Sequence, residues 1–163
     1  MIEPFRNNQD HLAAELAWLN LLLQREVRLW RRQAGDSQPD FRGVYLSDAQ
    51  IDSILDHSAH TADAQAEQWD DAARTLRGQI DERAQASLAE GAPLALKRAA
   101  RLFGLTAFEE RVLLIALAPE IDLDYEKLFA YLQDDMTRRR PSVDLAMRLL
   151  CRGPLTRVWD SQS

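Results

Sequence analysis

LALKRAARLFGLTAFEERVLLIALAPEIDLDYEKLFAYLQDDMTRRRPSVDLAMRLL, residues 94–150, is the stretch whose reading decides the fold. Apolar residues recur in it at helical steps of three and four, interrupted by Gly104, Pro119 and Pro141. Glycine frees the backbone for a turn and proline removes a backbone donor, so these positions divide the stretch into short helices. The spacing predicts helices over Leu94–Phe103, Thr106–Ala118, Tyr125–Gln133 and Ser142–Leu150. Too short to be stable alone, they must pack into one helical subdomain.

Upstream the elements lengthen. From Asp10 to Gln33, Leu12, Leu16, Leu19, Leu23, Val27 and Trp30 keep one helix face apolar. A second stripe of Trp18, Leu22 and Leu29 widens that face, so this helix should touch more than one neighbour. Its basic end, Arg25, Arg28, Arg31 and Arg32, suits the negative pole of a helix dipole. FRGVYL, residues 41–46, reads as a connector with Phe41 and Tyr45 as aromatic anchors. A capping box, Ser47 with Gln50, then opens a short helix that buries Ile51, Ile54 and Leu55. A second long helix is expected from Thr61 to Glu90, closed by Gly91 and Pro93. Its seam of Trp69, Ala73, Leu76, Ile80, Ala84 and Leu88 mixes small and large residues, which lets two helices approach, so it should pair antiparallel with the first. Gly78 in its middle weakens it by about 1 kcal/mol relative to alanine.

The chain is therefore expected to be mostly α: a long antiparallel helical hairpin with a short connector helix over residues 1–91, a compact helical subdomain over 92–150, to which the resemblance described below adds a winged-helix-like character, and a tail over 151–163. Its 163 residues can bury a core, and 46% hydrophobic with 28% charged residues describes a folded chain rather than a disordered one. A net charge of −6 disfavours nonspecific attraction to nucleic acid or anionic lipid. The polar N-terminus lacks a signal core, and the longest apolar run, Val112–Ala118, is too short to span a bilayer. With Cys151 as the single cysteine, these features point to a reducing, cytoplasmic setting.

Chemistry-bearing motifs are sparse. None of the six glycines precedes a lysine, so no phosphate-binding loop is present and neither ATP nor another cofactor is expected on these residues. His57 and His60 with Asp56 have no second ligand pair within reach, and no metal is expected. Glu120, Asp122, Asp124 and Glu126 lack the central glycine of a calcium loop, and Asp124 reads as a helix cap. No serine lies in a nucleophile elbow. No catalytic residue is assigned.

Two surfaces invite a binding role. RAARLFGLTAFEERVLL has the outline of a helix-turn-helix, with Gly104 at the turn, but its second helix carries Val112, Leu113, Leu114, Ile115 and Leu117 almost all round. A helix that reads bases exposes polar side chains, so this one is expected to be buried instead. Arg138, Arg139 and Arg140 form a dense basic run. Pairs at i,i+4 with Asp134 and Asp135 would neutralise part of it if the helix extends that far, and otherwise it forms a docking patch for a carboxylate or phosphate.

LFGLTAFEERVLLIALAPEIDLDYEKLFAYLQDDMTRRRPSVDLAMRLL resembles the N-terminal winged-helix region of bacterial AAA-family ATPases encoded beside phage-tail-like contractile injection systems. FRGVYLSDAQIDSIL and the first helix are similar to the same region, so the likeness covers most of residues 8–150. In that family a nucleotide-binding module follows, and the resemblance places ATP and Mg there. It implies that these residues form a noncatalytic recognition or assembly domain, whose partner is the ATPase module or an injection-particle component. Arg138, Arg139, Arg140, Phe41 and Tyr45 are the candidate interface residues. Two other classes remain: a DNA-binding helix-turn-helix, and a self-associating module acting through the exposed side of the first helix.

Overall fold

The computed structural model describes residues 2–34, 48–56 and 66–151. Within them seven helices follow in order: α1 Asn8–Ala34, α2 Asp48–Asp56, α3 Ala66–Ala89, α4 Ala95–Phe103, α5 Ala107–Ile121, α6 Asp124–Leu132 and α7 Val143–Leu150. There is no strand among the described residues. The chain is mostly α, as the periodicity predicts, and no helix among these residues is long and apolar enough to cross a membrane.

α1 and α3 form the expected antiparallel hairpin, and three long-range contacts fix its register. Phe5 donates its backbone N–H to the Ser87 hydroxyl at 2.7 Å, Arg77 grips the Glu15 carboxylate at 2.6 and 2.8 Å, and Arg25 meets Asp70 at 2.9 Å. As one number rises the other falls, which is what an antiparallel pair requires. The α3 seam holds at Ala73, Ile80 and Ala84, which are buried. At its C-terminal end it departs from the expectation: Leu88 is 43% exposed and Ser87 is fully buried in its place. The reason is local. Ser87 can accept from Phe5 and donate to the Arg83 carbonyl at 2.8 Å, so its hydroxyl is satisfied where α1 begins, and the register turns Leu88 outward.

α1 also packs on α5, α6 and α7, so its wide apolar face serves several neighbours. One continuous core runs from Trp18, Leu19, Leu22, Leu23 and Val27 through Ile51 and Ile80 to Leu114, Ile115, Phe129, Leu132, Leu145 and Leu149. Each fully buried leucine contributes about 2 kcal/mol to holding these elements together.

The short helices owe their ends to specific groups. Gly104, with φ of 63°, closes α4 in the left-handed region that glycine occupies without strain. Thr106 then caps α5 in a full capping box with Glu109. Ser142 caps α7, accepting from the Leu145 N–H at 3.2 Å. Two boundaries differ from the sequence reading. Pro119 does not end α5 but lies buried inside its last turn. Only the bond from residue 119 back to 115 is lost, and the Asp122 N–H to the Ala118 carbonyl at 3.0 Å carries the ladder past it. The start of α6 is held by Asp122, whose carboxylate accepts the Asp124 N–H at 2.9 Å, rather than by an Asp124 cap; Asp124 pairs with Lys127.

Candidate functional site

The arginine run lies on the loop between α6 and α7. α6 ends at Leu132, and Asp134 adopts φ of 51°, so the chain has already turned before the arginines. The i,i+4 pairs expected with Asp134 and Asp135 therefore do not form. Instead Asp135 pairs with Arg138 at 3.3 Å, Glu126 with Arg139 at 3.8 Å, and Glu120 with Arg140. Gln133 shapes this loop: its amide nitrogen reaches the carbonyls of Arg138 and Arg140 at 3.0 and 2.9 Å, and its oxygen accepts the Ser142 N–H at 3.0 Å. All three arginines are exposed, and each already faces one carboxylate. Phe41 and Tyr45, like His57 and His60, lie outside the described residues.

The acidic residues that flank α5 and α6 are occupied by the same pairs and by the Asp122 contact. No group of three or more metal-binding side chains occurs among the described residues.

In the helix-turn-helix outline, α5 buries Leu114, Ile115, Ala118 and Pro119, while Val112, Leu113 and Leu117 are half-buried. The N-terminal turn, where a base-reading helix meets the groove, carries Glu109 and Glu110. Glu109 is tied to the Thr106 hydroxyl and backbone, whose donors hold its carboxyl below the usual range, so it stays anionic; Glu110 pairs with Lys97 at 2.8 Å. Glu109 thus leaves the exposed start of α5 anionic, which disfavours a phosphate backbone there.

Sequence reasoning did not find the polar assembly centred on Trp18, where α1, α3, α5 and α7 meet. The guanidinium of Arg77 stands 5.1 Å from the Trp18 ring centroid and that of Arg111 stands 5.6 Å from it. Arg77 is committed, bridging Glu15 and, at 3.0 Å, Asp81. Burial alone would raise the Glu15 carboxyl, but hydrogen bonds from Arg77 and His11 and the Arg77 charge outweigh it and hold the pKa at about 2. Arg25 is buried beside them, and burial lowers its pKa against the pull of Glu26. Besides Asp70 it reaches the carbonyl of Leu149 at 2.8 Å and that of Arg148 at 3.3 Å, capping the C-terminus of α7 from α1. Arg25 thus joins α1, α3 and α7, while Arg31, which with Arg32 makes the last turn of α1 basic as expected, also reaches Asp52 at 2.8 Å and Tyr131 at 3.1 Å.

Arg25, Asp70 and Arg77 line a cavity of about 440 Å³ with a floor of Trp18, Leu22, Ala73, Leu149 and Leu150 and a polar rim that includes Arg74 and Arg111. Arg111 is half-buried, and among the described residues it has the Trp18 ring as its contact and no carboxylate. The signal in the sequence was faint: Trp18 and Leu22 belong to the second stripe of α1, but the partner arginines come from 59 and 93 residues further on (77 − 18 and 111 − 18).

The family model described as a winged helix domain, variant, matches residues 1–160. No curated protein and no solved structure matches the chain.

Proposed function

The chain belongs to the winged helix domain, variant, family, and from that premise we propose that it is the noncatalytic recognition and assembly domain of a AAA-family ATPase that serves a phage-tail-like contractile injection system. What supports this reading is the resemblance in sequence of residues 8–150 to the N-terminal winged-helix region of such ATPases; the family match bears on the winged helix alone. In this reading the domain works by docking on a protein, and ATP with Mg is bound and hydrolysed by the ATPase module.

The physical character of the helices supports docking over base reading. α5 uses its apolar face for the core and presents Glu109 and Glu110 at its N-terminus, and the net charge of −6 adds long-range repulsion of a polyanion. Binding through α1 to a second copy is the weaker alternative, because α1 spends its apolar face on α3, α5, α6 and α7.

The test has two arms. Purified chain is sedimented with contractile injection particles from the organism that encodes it, and assayed for ATP hydrolysis. Co-sedimentation with hydrolysis at the buffer rate is expected. A chain that stays in the supernatant contradicts the injection-system assignment, and hydrolysis well above background contradicts the noncatalytic one.

A further inference from the structure

We infer that the cavity between α1, α3, α5 and α7 is the docking pocket of this domain, and that its ligand is an acidic–aliphatic segment of a protein partner, one carboxylate beside a leucine-sized side chain. The cavity volume, about 440 Å³, falls within the range of small-ligand pockets and accommodates one or two side chains. Its floor is apolar, formed by Trp18, Leu22, Ala73, Leu149 and Leu150. That surface takes an aliphatic side chain and gains by removing it from water.

The charge count selects the polar half of the ligand. Four arginines line the cavity against one acid, Asp70. Arg25 is matched by Asp70, Arg74 by Asp71 at 2.6 Å, and Arg77 by Glu15 and Asp81. Arg111 remains, stacked over Trp18 with a planar fork of donors and no anion among the described residues. A guanidinium takes a carboxylate through two parallel hydrogen bonds, and the half-buried setting strengthens them. One unmatched cation calls for one carboxylate. A nucleic-acid strand brings a row of phosphates, which a cavity with one arginine lacking a carboxylate among the described residues, set over an apolar floor, is poorly built to hold.

The contrast with residues 138–140 sharpens the assignment. Those three arginines are more conspicuous in sequence, yet each is matched by a carboxylate on an exposed loop. Exposed pairs of this kind contribute little.

The pocket rests on the reading of the chain as a recognition domain, but the two fail separately. If particles still sediment the chain while the pocket takes no acidic ligand, only the pocket is lost; if the pocket binds and particles do not, only the injection-system assignment is lost.

The probe is a blocked tripeptide, Leu-Glu-Leu, titrated into the full chain while the Arg111 Nε–Hε and Trp18 indole resonances are followed by NMR. Saturable shifts at both are expected in the parent, with affinity weakened by about ten-fold for the Leu-Gln-Leu peptide and, read at the Trp18 indole alone, in Arg111→Gln. Arg111→Lys keeps the stem and charge but loses the fork, so a folded chain with binding weakened by about three-fold or more is expected. The inference is overturned by an absence of saturable shift up to about 10 mM peptide. Equal binding of the glutamine peptide, full retention in the Arg111→Lys chain, or displacement of the peptide by a short DNA duplex overturns it equally.

Discussion

The guanidinium of Arg25 lies 2.9 Å from the Asp70 carboxylate, with both side chains 8% exposed, and its second nitrogen caps the last carbonyls of α7. One side chain therefore ties the middle of the first helix to the start of the third and the end of the seventh.

Removing Arg25 takes a guanidinium away from the buried Asp70 carboxylate and from the α7 carbonyls together. Arg25→Met is expected to cost about 3–5 kcal/mol in urea denaturation, because Asp70 stays buried and the α7 carbonyls lose their donor. The double variant Arg25→Met with Asp70→Leu should recover much of that loss. A double variant no more stable than the single one contradicts this account of the pair.

The Glu15 carboxylate predicts the acid limb of stability. Its folded pKa of about 2 lies below the 4.5 of a solvated glutamate, so it stabilises the fold above pH 4.5 and that contribution is lost as pH falls from 4.5 through about 2. The difference amounts to about 3 kcal/mol at neutral pH. Glu15→Gln should lower stability at pH 7 and flatten its decline between those two pH values, read from urea midpoints across the range. An unchanged slope in the variant argues against the Arg77 and His11 contacts as its source.

Two glycine-to-alanine substitutions should have opposite signs although a Cβ meets nothing within 4 Å at either site. Gly104 holds φ of +63°, so Gly104→Ala costs about 1 kcal/mol through the backbone alone. Gly78 sits in right-handed helix, so Gly78→Ala stabilises by up to about 1 kcal/mol. Thermal melts of the two variants, one below and one above the parent, check both at once.

At the start of α5, Thr106→Ala removes the cap on the Glu109 N–H at 3.3 Å and the hydroxyl donor to the Glu109 carboxylate at 2.8 Å, leaving that carboxylate only the backbone N–H of residue 106. A loss of about 1 kcal/mol is expected from denaturation, with little further loss on adding Glu109→Ala, because the two act as a unit.

What the sequence made legible follows from the range of the interactions. The faces of α1 and α3 repeat every few residues, so the hairpin could be read from Leu19, Leu23, Ala73 and Ile80, and the turn at Gly104 from its neighbours. Pro119 misled because a proline in a last turn loses one bond only, a cost that burial of its ring against the core offsets. The swap of Leu88 for Ser87 depends on the Phe5 N–H, 82 residues away, and no local pattern contains it. The same limit hid the pocket. Arg138, Arg139 and Arg140 stand together in sequence and are each neutralised in space, whereas Arg111 stands alone in sequence and meets Trp18, Leu22 and Leu149 only once four helices have packed.

The most direct test of the docking account is co-sedimentation of the chain with contractile injection particles, run for the parent and for Arg111→Gln with a short DNA duplex as competitor. The account predicts that the parent sediments with the particles, that Arg111→Gln weakens this by about ten-fold, and that the duplex displaces neither. A parent chain that stays in the supernatant, or that the duplex strips from the particles, contradicts it.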